Sequence, residues 1–193
     1  MIVSSSNKKA GRVLNFYEIM TIVIGFCGTV MLFFMFQQNN RKRILICQII
    51  GTCFFCIHFF MLGTYTGAVL NAIGAFRGII YYNGEKKFFG SPIWLWLFIS
   101  ISIAAGVLTW EGAISILPTV GMIIGSVSVW VKKPRNIRIL SFIPSPMWMT
   151  YNIVNVSIPG IVTEVFVMTS IAISIIRYDI LKKQEKLPLK SID

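Results

Sequence analysis

Long apolar runs, separated by short polar or basic breaks, follow one another along this chain. A bilayer core of about 30 Å takes roughly 20 mainly apolar residues per helix. The runs reach that length and do not alternate apolar with polar positions as half-buried strands do. They predict seven membrane helices, at residues 16–36, 44–62, 66–82, 93–110, 113–131, 139–154 and 158–178. The sixth differs from the others, because it holds Pro144, Ser145, Pro146, Thr150 and Asn152. Proline is tolerated in membrane helices where neighbours satisfy the carbonyls it frees, so a span is still expected there. The fold class that follows is an all-α polytopic membrane protein.

Composition agrees with that pattern. Of 193 residues, 55% are hydrophobic, and the formal net charge is +11. In a soluble protein such a charge would point to nucleic acid. Here the basic residues stand between apolar runs, as topology signals do. The bilayer is therefore the expected partner, and nucleic acid is not. Arg41, Lys42 and Arg43 follow the first span, and Lys86 and Lys87 follow the third. Lys132, Lys133, Arg135 and Arg138 follow the fifth, and Arg177, Lys182, Lys183, Lys186 and Lys190 mark the C-terminal end. With seven spans all of these lie on one side, and only Lys8, Lys9 and Arg12 lie on the other. Positive charge stays cytoplasmic, so the N-terminus is expected outside and the C-terminus inside.

Cys27, Cys47, Cys53 and Cys56 fall within apolar runs, where pairing in an oxidising compartment is not expected. Cys53-x-x-Cys56 has the spacing of a metal or redox pair, but buried packing is the simpler reading. The first apolar run is too long for a signal-peptide core and is read as an uncleaved span.

A weak internal repeat divides the chain. "FQQNNRKRIL" (36–45) lies over "VKKPRNIRIL" (131–140), matching Arg43 with Arg138. Further on, "TGAVLNAI" (66–73) lies over "PGIVTEVF" (159–166), matching Asn71 with Glu164. Two triples of helices in parallel orientation then flank a fourth, connecting span, a 3+1+3 layout. The expected divisions are an outer segment 1–15, a first bundle 16–82, a loop and linker helix 83–112, a second bundle 113–178 and a cytoplasmic tail 179–193. Parallel repeats about an axis along the membrane normal are a transporter architecture.

The stretch "HFFMLGTYTGAVLNAIGAFRG" (58–78) resembles the signature of the YgjV family of bacterial inner-membrane proteins. The matching positions are His58, Phe59, Leu62, Gly63, Thr64, Tyr65, Gly67, Ala68, Leu70, Asn71, Ala72, Ile73 and Arg77. The resemblance implies a bacterial plasma-membrane location and no particular activity. More remotely, the 3+1+3 layout is similar to the SWEET and PQ-loop (MtN3-like) transporters. That similarity implies hinge prolines in each triple and substrate-contacting asparagines on the third helices. Here Asn71 occupies the first such place and Glu164 the second. Pro118, Pro144 and Pro146 lie in the second half, spans one to three have none, and Phe36-Gln37 stands where a Pro-Gln pair is the pattern.

His58, Asn71, Asn152 and Glu164 all fall roughly 6–10 Å from the outer turns, taking about 1.5 Å of rise per residue. Polar groups at such depth mark pathways or cavities by default. Glu164 can accept protons or bind a polar ligand, His58 titrates near neutral pH, and the two asparagines offer donors and acceptors. The simpler alternative is that these groups satisfy one another or the backbone at the turns. Arg77 lies toward the inner end of its span and is expected to anchor to headgroups by snorkelling. Trp94, Trp96, Trp110 and Trp130 lie near span ends, as interfacial belts do. Trp148 sits inside the sixth span, as either a cavity wall or a packing residue. Gly25, Gly28, Gly121 and Gly125 allow close helix approach.

No catalytic set stands out. The chain has one histidine, no H-E-x-x-H, no G-x-S-x-G and no phosphate-cradling glycine loop before a lysine. No enzyme, metal site or cofactor is expected. The leading expectation is a small-solute transporter or facilitator working by alternating access between two three-helix bundles, with a homo-oligomer as a candidate assembly. The alternative is a non-transporting scaffold or accessory protein that binds a partner or lipid. A cavity between the bundles lined by Asn71 and Glu164 would distinguish them, and the repeat separately places Ser100 and Ser102 of the fourth span off its wall.

Overall fold

The computed structural model describes residues 15–177. The basic residues Lys8, Lys9, Arg12, Lys182, Lys183, Lys186 and Lys190, and the expected terminal segments, lie outside them. The described chain is all-helical. Its α-helices are α1 (Phe16–Gln37), α2 (Arg41–Leu62), α3 (Tyr65–Tyr82), α4 (Ile93–Leu108), α5 (Ile116–Trp130), α6 (Pro134–Ser141), α7 (Ser145–Val154) and α8 (Ile158–Ile175). A single 3-10 turn, Ala113–Ser115, leads into α5.

Local chemistry sets the helix ends. Asn15 opens α1 with a capping box: its side chain accepts from the Glu18 N–H at 2.8 Å, and Glu18 accepts from the Asn15 N–H at 3.0 Å. Asn40 opens α2 by accepting from the N–H groups of Lys42 and Arg43. Gly63 closes α2 at φ 79°, a left-handed conformation that glycine adopts without steric penalty. Ser157 caps α8, where Pro159 occupies the first turn, a position with no intrahelical N–H to lose.

Four stretches are long and apolar enough to cross a membrane: α1, α2, Ala113–Trp130 and α8. The 18 residues of α3 would reach about 27 Å, and the shorter apolar α4 about 24 Å, at 1.5 Å per residue. The expected sixth span is not one helix. It is divided into α6 and α7 on either side of Phe142–Pro144. Pro144 has no N–H to donate, and its ring would clash with the carbonyl four residues back, so α6 stops and α7 restarts.

α1, α2 and α3 pack in succession, α3 meets α5, and α5 meets α6 and α7. α8 packs on α7 and returns to α1, closing a ring, while α4 contacts α3 and α5. The α1–α8 seam is polar and close. The Thr29 and Thr163 hydroxyls lie 2.6 Å apart, and Ser170 donates to the Phe33 carbonyl at 2.8 Å. At Gly25 a Cβ would fall 2.6 Å from the Pro159 Cβ, so only glycine permits this approach.

One apolar core, including Phe36, Ile44, Tyr81 and Val129, lies toward the basic end of the bundle. A second, of Phe55, Phe59, Ala68 and Tyr151, lies toward the far end. The exterior carries large apolar side chains such as Phe60, Trp96 and Leu108, 66–84% exposed. An apolar exterior of this kind suits lipid rather than water. Lys132, Lys133 and Arg135 are exposed at the basic end. Arg138 is not a loop charge: it lies within α6 and is 1% exposed. The helix turns it inward, which spacing from the neighbouring lysines does not reveal.

Candidate functional site

A cavity of about 140 Å³ lies at the centre of the ring, between α1–α3 and α5–α8. None of its wall comes from α4; Ser102 is buried elsewhere and donates to the Phe98 carbonyl. Asn71 and Glu164 both line it, each six residues into its helix. At 1.5 Å per residue that places both about 9 Å from the far end. Asn71 Nδ2 donates to the Gly67 carbonyl at 2.9 Å. The hydroxyl of Ser145, at the start of α7, interacts with the Glu164 carboxylate.

Asn152 and Trp148, on α7, also line the cavity. Asn152 Oδ1 is buried without a hydrogen-bond partner. Trp148 stands edge-on to Tyr151 at 5.9 Å and near Phe59 at 6.3 Å, so it is both wall and packing.

His58 belongs to a different arrangement. It is 1% exposed and off the cavity wall. Its Nδ1–H donates to the Thr21 carbonyl at 2.8 Å, because a carbonyl can only accept. Nε2 therefore accepts from the Ser157 hydroxyl at 2.9 Å, and Ser157 Oγ also accepts from the Gly160 N–H. The ring ties α1 and α2 to the cap of α8, with both nitrogens committed.

Arg77 corrects the expectation of a headgroup anchor. It is 3% exposed and lines the cavity. Nη1 donates to the Met122 carbonyl at 3.3 Å and to Ser126 Oγ at 2.6 Å, and lies 3.0 Å from Met122 Sδ. Nε is buried without a partner. Its face of α3 is the one packed on α5, so the side chain cannot snorkel outward.

Two further groups went unrecognised in the sequence. Gln48, on α2, lines the cavity with Oε1 buried and unpartnered. Tyr151 is fully buried, accepts from the Gly67 N–H at 3.0 Å and donates to Glu111 Oε2 at 3.3 Å. Glu111 Oε1 also accepts from the N–H groups of Tyr65 and Thr66, capping an α3 start that has no side-chain cap of its own. The available signal was Glu111 itself, an acid in a loop without lysine or arginine.

An apolar cavity of about 150 Å³ accommodates one benzene, so a guest of about six non-hydrogen atoms, or a few waters, matches this volume. The four cysteines are free thiols, with Cys53 exposed and Cys56 partly buried. Among the described residues no His, Cys, Asp or Glu cluster is placed to hold a metal. The bacterial inner membrane protein family Imp-YgjV matches the chain over residues 19–182. No curated protein and no solved structure matches it.

Proposed function

The chain belongs to the Imp-YgjV family of bacterial inner membrane proteins, and from that premise we propose that it is a small-solute transporter or facilitator. In this reading the first bundle, 16–82, and the second, 113–178, alternate access to the central cavity, and residues 83–112 connect them. The two bundles and α4 form a seven-span 3+1+3 arrangement, with α6 and α7 together making one broken span. The N-terminus lies outside and the C-terminus in the cytoplasm, following the basic loops. The observation that carries the reading is the cavity, whose polar wall is drawn from both bundles and not from α4. Intramembrane ionisable residues usually face such water-accessible spaces. A broken helix on the cavity wall, at Pro144, also accords with a transporter, where discontinuous helices surround the site.

Glu164 serves as the proton-accepting group and Asn71 as a solute contact. The test is flux through purified protein in liposomes, across small polar solutes, with and without a pH gradient. Glu164→Gln is expected to abolish the pH response, and Asn71→Ala to weaken solute uptake while keeping that response. Absence of flux for every solute would favour the non-transporting scaffold, and an unchanged pH response in Glu164→Gln would remove the carboxylate from the mechanism.

A further inference from the structure

The Arg77 guanidinium makes its hydrogen bonds through one nitrogen. Nη1 takes the Met122 carbonyl and the Ser126 hydroxyl, both from α5. These two contacts fix the plane of the group and leave the opposite edge, Nε with Nη2, without an acceptor among the described residues. That edge presents two parallel N–H donors, the geometry that a carboxylate receives in bidentate fashion. A buried charge without a counter-ion is strongly unfavourable, and a planar anion on this edge would remove that penalty.

The surroundings narrow the anion. Arg77 is the only lysine or arginine on the described cavity wall. Glu164 is on the same wall but is not ion-paired with Arg77. Arg77 is twelve residues into α3 and Glu164 six into α8, a separation of roughly 9 Å along the bundle at 1.5 Å per residue. One cation, with a carboxylate farther along, suits a monoanion better than a doubly charged phosphate. The amide of Gln48 lies seven residues into α2 from the basic end, and Arg77 five from the basic end of α3. Both are therefore at similar depth on adjacent helices, and Oε1 of Gln48 is buried without a donor. It would receive an O–H or N–H from the same guest.

We propose that Arg77 is the anion-recognition residue of the central cavity, and that the cavity takes a small monocarboxylate that also carries a hydrogen-bond donor. This rests on the cavity being a solute site and names the class of solute. The volume of about 140 Å³ holds a guest of lactate size and excludes a disaccharide, given that about 150 Å³ holds a benzene.

The experiment uses purified full-length protein in detergent, with sodium lactate as the probe, followed by isothermal titration calorimetry. Propionamide, a neutral analogue, and sodium chloride at equal ionic strength serve as controls. Lactate is expected to bind at least about tenfold more tightly than propionamide, since charge-assisted pairs exceed neutral ones. Arg77→Gln should abolish lactate binding. Arg77→Lys should retain only part of it, because the charge remains but the fork is lost. Gly125→Leu is the second variant: Gly125 lines the cavity, and a Cβ there would stand 4.0 Å from Nη1 with nothing closer, so a larger side chain takes cavity space beside the guanidinium. It too should lose lactate.

Equal binding of lactate and propionamide, no lactate binding by the folded wild type, or unchanged lactate binding in Arg77→Gln would overturn the proposal. If Arg77→Gln does not fold, unchanged lactate binding in Gly125→Leu overturns it alone. Lactate binding that depends on Arg77, without flux in liposomes, would sink the transport reading and leave this one standing. Flux of a neutral solute that persists in Arg77→Gln, with no carboxylate bound by the wild type, would do the reverse.

Discussion

His58→Leu separates a structural histidine from a working one. Leucine keeps a similar volume and removes both ring nitrogens, so the change isolates the hydrogen bonds rather than opening a large void. Two bonds are lost, to the Thr21 carbonyl at 2.8 Å and the Ser157 hydroxyl at 2.9 Å. Interhelical bonds in membrane proteins average about 0.6 kcal/mol and reach about 1.7, so the pair contributes roughly 1–3 kcal/mol. The Ser157 hydroxyl keeps its bond from the Gly160 N–H, which places the loss nearer the lower figure. For a chain of this length 1 kcal/mol shifts the unfolding temperature by roughly 2–4 °C, so a fall of roughly 2–8 °C is expected. The assay is thermal unfolding of the purified variant in detergent, paired with lactate titration. Solute binding per folded molecule should be unchanged. A variant as stable as wild type that no longer binds would refute the reasoning and put the imidazole on the solute.

Tyr151→Phe removes the hydroxyl between Gly67 and Glu111, and should lower stability by about 1–3 kcal/mol because a charged acceptor and a buried N–H lose their partner. Thermal unfolding measures it, and no loss would mean the far-end closure does not depend on this bond. Ser102→Ala should leave solute binding and flux unchanged, because that hydroxyl serves only the Phe98 carbonyl of its own helix; a binding defect measured by titration would place α4 at the site. Reporter fusions within 83–87 should read cytoplasmic, as the basic loops predict, and a periplasmic signal there would break the seven-span arrangement.

Some of this was legible in the sequence because bilayer thickness imposes a length on apolar runs. The helices α1, α2, α3 and α8 begin within a few residues of the expected spans. The family signature was readable in 58–78, and Asn71 and Glu164 were marked as candidates because polar groups are expensive in an apolar background. Which way a helix faces was another matter. In a soluble helix the apolar stripe points to the core, but in lipid both faces are apolar and the stripe carries little information. Arg77 therefore read as an anchor, and only the packing of α3 on α5 turns it into the cavity. For His58 the sequence left a solute contact and a locally satisfied group both open, and the partners that hold its two nitrogens, Thr21 and Ser157, lie 37 and 99 positions away. Gln48 and Tyr151 drew no notice, because a polar atom's significance depends on the partners it has, and those partners come from other helices. Spacing along one chain fixes where polar groups sit in depth; tertiary contact decides which of them are already satisfied and which are left facing the cavity.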